Sequence, residues 1–312
     1  MNRLYLLLTF NFILFTSAFA AEKDTSDTSN AGQTFEVKVG KTVMKISANG
    51  GRIISYRIGK NEFLTCQSQH ENFGSTLWTA PQSDWGWPPY AELDSLEYHV
   101  EKTGDVVKMI SKQNSKSGFQ FEKSWQAIES DFIRIEYVIR NISATPKSVA
   151  PWEVTRVPCG GIAFFPDGGI GNVPKSSLLP DLQRDGINWV SIDKNPGSKH
   201  VKLFSTAREG WLAYALNGVL FIKQFPDIQP ENYPPQQGEV EIYTNKDKSY
   251  SELENHGYYS LLQPGESCSY IVNWYLVPIP KKVKINEGSR KLTSFARKEL
   301  IINNSGKLLV GQ

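Results

Sequence analysis

Hydrophobic and polar residues alternate along most of this chain. The period of two is clearest over residues 132–141, where Ile133, Ile135, Tyr137 and Ile139 share one face and Arg134, Glu136 and Arg140 the other. Side chains on a strand project to opposite sides in turn, so this pattern predicts a half-buried β-strand. The same reading predicts strands over 35–39, 43–46, 52–58, 201–206, 211–216, 219–225, 239–244 and 269–277. Asn49-Gly-Gly51 and Gly59-Lys-Asn61 supply turns between them. Only residues 289–301 have helical spacing. Many short strands without a dividing linker predict an all-β fold with few helices, a sandwich or a barrel, and so long a run of them implies a large sandwich.

Length and composition narrow this further. The chain has 312 residues, room for one large all-β domain or two smaller ones. Its first 20 residues have the form of a cleavable signal peptide, with Arg3, an apolar run from Leu4 to Phe15, and Ala18-Phe19-Ala20 as the small-residue cut site. A single N-terminal anchor is the competing reading, but the run is shorter than the ~20 residues a span needs. The mature chain is expected to carry no transmembrane segment and to be periplasmic or secreted. Residues 21–33 are polar and small, a flexible lead-in. The sandwich is expected over 34–280, followed by a basic C-terminal extension over 281–312. From Lys281 to Lys307 there are eight Lys/Arg against two Glu. The net charge is +2, so without that surplus of six and Arg3 the remainder stands at −5. That argues against a nucleic-acid partner. The tail reads as a solvated terminal extension. Cys66, Cys159 and Cys268 have no paired metal-ligand spacing and read as buried thiols. No acidic loop has cation-binding spacing, so neither metal nor cofactor is expected.

Two segments carry candidate chemistry. Residues 78–89 (WTAPQSDWGWPP) place Trp78, Asp84, Trp85 and Trp87 in a stretch too rich in proline for a regular helix or a central strand. Tyr250-Ser-Glu-Leu-Glu254 puts Glu252 and Glu254 on one face of a predicted strand. Aromatic faces beside carboxylates suit a sugar: rings cover its C–H faces, and carboxylates accept from its hydroxyls or move its protons. A mono- or oligosaccharide is therefore the expected partner. Trp152 and Arg156 share a face in Trp152-Glu-Val-Thr-Arg156 and point toward the same cleft if Trp152 lines it. Arg52 follows directly on the Gly-Gly turn, where a plain surface charge is one reading. Lys223 interrupts an apolar strand, as an edge residue or as a group aimed into a polar cleft. Trp125, Trp189 and Trp274 are expected in the core.

The order of these pieces resembles galactose mutarotase-like proteins over roughly residues 35–280. Asn49-Gly-Gly-Arg-Ile-Ile-Ser55 with Gly59-Lys-Asn-Glu-Phe63 resembles their opening hairpins. Phe73 to Pro81 and then Trp85-Gly-Trp-Pro-Pro89 resemble a branch known only as a domain of unknown function, DUF4380. Ala150-Pro-Trp152 leading to Gly160-Gly161 resembles the strand that brings a catalytic histidine. Tyr243-Thr-Asn245, Glu252-Leu-Glu254 and Leu262-Gln-Pro-Gly-Glu266 resemble the segment that brings the catalytic base. The resemblance implies an antiparallel β-supersandwich that binds sugars on one sheet, and a cleft-facing arginine at Arg52 as the other reading of that residue. It also implies aldose 1-epimerase chemistry, in which a glutamate deprotonates the anomeric hydroxyl while a histidine protonates the ring oxygen. Where that histidine is expected, however, this chain has Pro151-Trp152-Glu153. Of its four histidines, His99 and His200 read as solvated, and His70 and His256 are the two that could reach the cleft. The chain thus reads as an exported carbohydrate-directed protein with epimerase-like acid–base chemistry at Glu252 or Glu254, assisted by His256. The alternative is a non-catalytic carbohydrate-binding module on the same scaffold.

Overall fold

The computed structural model describes residues 32–129, 132–169, 173–178, 180–192, 197 and 199–304. The signal-like segment and nearly all of the lead-in lie outside them. In chain order the first strands are β1 (Thr34–Val39), β2 (Thr42–Ser47), β3 (Arg52–Ile58), β4 (Asn61–Glu62), β5 (Ser75–Ala80), β6 (His99–Thr103) and β7 (Val106–Ile110). Then come β8 (Phe119–Ile128), β9 (Phe132–Asn141), β10 (Lys147–Val157), β11 (Ile162–Pro166), β12 (Leu182–Arg184), β13 (Ile187–Ser191) and β14 (Val201–Ser205). The last are β15 (Trp211–Leu216), β16 (Val219–Gln224), β17 (Val240–Thr244), β18 (Ser251–His256), β19 (Ser260–Leu262) and β20 (Ser267–Pro278). The α-helices are α1 (Ala91–Asp94) and α2 (Arg290–Asn304).

The strands form two antiparallel sheets packed face to face. The first runs β1-β2-β3-β5-β10-β18-β17-β14, with β4 on β3 and β19 on β10. The second runs β12-β13-β11-β15-β16-β20-β9-β8-β7-β6. Alternation decides which residues meet between them. Met44, Ile46, Tyr56 and Leu77 come from the first sheet, and Trp125, Ile135, Tyr137, Phe221 and Trp274 from the second. Strand β9 points Ile133, Ile135, Tyr137 and Ile139 inward as its alternation predicts. His99 is exposed on the edge strand β6, and no disulfide joins Cys66, Cys159 and Cys268.

Three expectations change. Trp78 to Ala80 belong to β5, which pairs with β10 inside the first sheet, so the irregular Pro-rich stretch starts only at Pro81. The C-terminal helix is not a solvated extension. Leu292, Ala296 and Leu300, spaced by four, form one stripe buried against Ile187, Trp189, Trp211 and Ile222 on the outer side of the second sheet. Two of its basic residues pair outward, Arg290 with Asp185 at 2.7 Å and Arg297 with Glu209 at 2.6 Å. The structural unit therefore extends past residue 280.

Lys223 is the third. It lies neither at an edge nor in a cleft, because β16 is buried on both faces and points it into the space between the sheets. There its Nζ meets Glu153 Oε2, Thr155 Oγ1 and the Leu253 carbonyl, each at 2.9 Å. Burial lowers its proton affinity, and the Glu153 carboxylate opposes that. Tyr137 Oη donates to Glu153 Oε1 at 2.6 Å, so the pair is hydrogen-bonded as well as neutralised.

Candidate functional site

The outer face of the first sheet collects most of the candidate residues. Inward Glu153 and Thr155 on β10 leave Trp152, Val154 and Arg156 pointing outward. Strand β18 pairs antiparallel with register Trp152↔His256, Val154↔Glu254 and Arg156↔Glu252, so its two glutamates and histidine share that face. On the other side, β5 sets Trp78 opposite Trp152. Strand β17 adds Glu241 opposite Glu254 and Tyr243 opposite Glu252. Strand β14 adds Lys202 opposite Tyr243 and Phe204 opposite Glu241.

Three charged groupings cross this face. Arg52 Nη2 donates to Asp94 Oδ2 at 2.7 Å, while Asp94 Oδ1 accepts from Trp78 Nε1 at 2.9 Å and Thr76 Oγ1 at 3.1 Å. Burial pushes the Asp94 carboxyl up, but Arg52 and the Trp78 indole outweigh it and hold the group below the usual carboxylate range. In the second grouping Arg156 Nε donates to Glu252 Oε1 at 2.9 Å, and its guanidinium lies 5.1 Å from the Trp78 ring centroid. Burial raises the Glu252 carboxyl above its ordinary value against the pull of Arg156, with Glu254 adding repulsion. Among the described residues nothing hydrogen-bonds Arg156 Nη1, although that atom is buried.

The third grouping is centred on Lys202. Its Nζ lies 2.6 Å from Glu241 Oε2 and 3.0 Å from Glu254 Oε2. Glu254 Oε2 also accepts from Trp152 Nε1 at 2.8 Å. Burial pushes Glu241 up to about 8, opposed by Lys202 and reinforced by Glu254. Burial works against the charge on Lys202 too, yet the two carboxylates hold its proton affinity above the usual lysine value. His256 is wholly buried, stacked on Trp152 at 5.4 Å between centroids, with Nε2 at 3.1 Å from Gln237 Nε2. Burial, with Lys202 nearby, drives its proton affinity well below that of an ordinary histidine, so it is a neutral ring.

The tryptophan segment folds over this face. Trp78 packs edge-on against Trp85, Trp87 and Trp152, with centroid separations of 5.7, 5.8 and 5.2 Å. Trp85 Nε1 donates to the Thr79 carbonyl at 2.8 Å, anchoring the loop, whereas Trp87 is 60% exposed. A groove of about 880 Å³ opens beside the loop and is lined by Arg52, Phe73, Trp78, Trp87, Asp94 and Arg156. A second hollow of about 400 Å³ lies along residues 81–86, with Lys202, Phe204 and Gln237 in its wall.

Of the residues singled out in the sequence, Arg52, Trp78, Trp87 and Arg156 thus meet in the larger groove, with Glu252 bonded to Arg156. Trp152, Glu254 and His256 lie together in the buried centre of the face. Asp84 and Trp85 line a separate recess of about 180 Å³. His70 is not in either hollow: its Nδ1 accepts the Asn72 N–H at 2.9 Å, and its ring lies 4.8 Å from that of Tyr250. Lys223 is on the opposite side of the sheet. Asp94, Lys202, Phe204, Gln237 and Glu241 were not foreseen. Alternation over 201–206 puts Lys202 and Phe204 on one face, and Glu239-x-Glu241 repeats the spacing of Glu252-x-Glu254, so those had a signal. Asp94 had none, because it arrives on a single helical turn outside the sheet. Among the described residues no group of three or more His, Cys, Asp or Glu is placed to hold a metal ion, and no helix is long and apolar enough to cross a membrane.

Solved structures share this architecture. A protein assigned as an aldose 1-epimerase from Escherichia coli K12 matches with TM-score 0.56 at 10% identity, over 79% of this chain and 99% of its own. A galactose mutarotase-like protein from Clostridium acetobutylicum matches with TM-score 0.52 at 12% identity, over 79% and 95%. An aldose epimerase homologue from C. elegans matches with TM-score 0.51 at 8% identity, over 79% and 99%. At such identities the likeness establishes the galactose mutarotase-like sandwich and nothing finer. No curated protein matches the sequence. The model of the family described as Domain of unknown function (DUF4380) matches residues 39–277, and the chain belongs to that family.

Proposed function

We propose that this protein binds carbohydrate in the groove on the outer face of its first sheet. One observation carries the reading: Arg52, Trp78, Trp87, Asp94 and Arg156, brought together from separate segments, surround a single open groove of about 880 Å³. Trp87 offers an exposed indole face for the C–H side of a pyranose. Arg156 Nη1, buried without a partner among the described residues, offers a donor that a sugar hydroxyl would satisfy. Asp94 and Arg52 hold each other in place and present fixed charges at the rim. The signal-like start, with Arg3, the 4–15 run and Ala18-Phe19-Ala20, supports action in the periplasm or outside the cell. A calorimetric screen of mono- and oligosaccharides tests the binding. Trp87→Ala is expected to weaken the best ligand about tenfold, corresponding to ~1.4 kcal/mol, while leaving the melting temperature unchanged. No saccharide bound at millimolar concentration would sink the reading.

Acid–base isomerisation is a second reading, and the raised Glu252 carboxyl beside the groove favours it. Against it stands the histidine: His256 is wholly buried, stacked on Trp152, neutral, and on the same strand face as both glutamates, so it does not face them across the groove. NMR anomer exchange separates the two. Exchange faster than buffer in the wild type, lost in Glu252→Gln or Glu254→Gln with binding kept, supports the enzyme. Exchange at the buffer rate throughout leaves a binding protein.

A further inference from the structure

We infer that the hollow on the far side of the tryptophan loop is a second sugar subsite, so that the ligand is an oligosaccharide rather than a free monosaccharide. This rests on the carbohydrate reading above and extends it to a substrate class. The two hollows share one wall. Residues Trp87, Pro88 and Pro89 line the larger, and Pro81, Gln82, Ser83 and Gly86 line the smaller, so one short loop separates them. A chain laid over that loop meets the exposed Trp87 indole on its way from one to the other.

The smaller hollow has the same kind of furniture as the larger. Phe204 supplies a half-buried aromatic ring, and Lys202 a cation 5.4 Å from that ring. Gln237 is 6% exposed, and among the described residues nothing hydrogen-bonds its Oε1, although its Nε2 is engaged with His256. A buried amide oxygen left open at the wall of a hollow is costly unless something donates to it, and a sugar hydroxyl is such a donor. Lys202 is held in place by Glu241 and Glu254, so its remaining hydrogen-bonding capacity is fixed in direction. The larger groove, at about 880 Å³, lies near the top of the ~300–1,000 Å³ range of ligand sites. Ring, fixed cation and open acceptor on one side of the loop, and indole, guanidinium and carboxylate on the other, make two sets of sugar contacts.

The test compares one glucan or xylan series, from monosaccharide to tetrasaccharide, chosen from whichever sugar binds in the screen. Wild-type affinity is expected to rise about tenfold or more from one unit to three. Phe204→Ala is expected to erase that gain and leave monosaccharide affinity unchanged. Ser83→Trp, at an exposed position on the wall of the hollow, fills it without removing any buried contact and should act likewise. Trp87→Ala should weaken every member of the series. Affinity that is flat with length, or a length gain untouched by both Phe204→Ala and Ser83→Trp, overturns the second subsite while leaving the first groove standing. A wild type that binds none of the saccharides instead removes the underlying reading.

Discussion

Asp94 illustrates how much one side chain on a short helix can fix. It accepts from Arg52, Thr76 and Trp78 at once, tying β3 and β5 to the segment that carries it. Both partners of the ion pair are only 12–15% exposed, so the interaction is screened far less than a surface pair. Asp94→Asn keeps the shape and removes the charge, leaving Arg52 partly buried and uncompensated. We expect a loss of about 2 kcal/mol in urea unfolding; a loss below ~0.5 kcal/mol would mean that the pair is incidental. Because the native carboxyl sits below its ordinary value, the stability it provides is present above the unfolded pKa and lost on acidification. The Asp94→Asn variant should flatten the acid limb accordingly. None of this was legible in Ala91-Glu-Leu-Asp94, where nothing in the local pattern points to Arg52. Glu252, Glu254, Trp152 and Arg156 were legible, because a period of two fixes which residues of a strand share a face. Only their partners, Lys202 and Glu241, depended on a pairing that alternation alone does not specify.

Strand β10 lies between two different polar environments. Its outward Arg156 and Trp152 belong to the candidate site, while its inward Glu153 meets Lys223 from the opposite sheet. Nearly the whole strand is buried on both faces, so the usual contrast of apolar inside and polar outside disappears. The same loss of contrast in β16 left the direction of Lys223 open in the sequence. Glu153 and Lys223 form a wholly buried bridge between the sheets, and removing one member strands the other. Lys223→Met is expected to cost about 3–5 kcal/mol, measured by chemical denaturation. Adding Glu153→Gln should recover much of it, since Gln can still accept from Tyr137 without a buried charge. A double variant no more stable than Lys223→Met alone would show that the lost stability is packing rather than charge. Neither variant should alter sugar affinity by much more than its effect on folding, because the bridge is on the far side of the sheet from the groove.

At the scale of the whole molecule, the sandwich has its first outer face partly capped by the tryptophan loop and its second by α2. Strand alternation predicted the two-sheet body, but not which outer surfaces were covered, because coverage comes from segments that fold back from elsewhere. Burying ionisable groups on the capped first sheet has a consequence for pH. Glu239 accepts from the Ala207 and Ile228 N–H groups at 2.8 and 2.9 Å, yet burial pushes its carboxyl up to about 8, as it does for Glu241. A native pKa above the unfolded value means that the folded state holds more protons between about pH 4.5 and 8. The stabilisation is complete below that window and is lost as pH rises through it. Lys123, driven down to about 7 by burial beneath Gly50 and Gly51, acts in the opposite sense and adds stability from about pH 7 toward 10. Stability should therefore fall toward about pH 8 and recover above it as Lys123 takes over. At about 1.4 kcal/mol per tenfold in proton affinity, Glu239 alone contributes a fall on the order of 3 kcal/mol from about pH 5 to 8. Urea unfolding at the two pH values checks it: Glu239→Gln should shrink the difference even though its baseline stability changes. An unaltered difference would mean that Glu239 stays ionised in its backbone cradle, its two N–H donors outweighing the cost of burial.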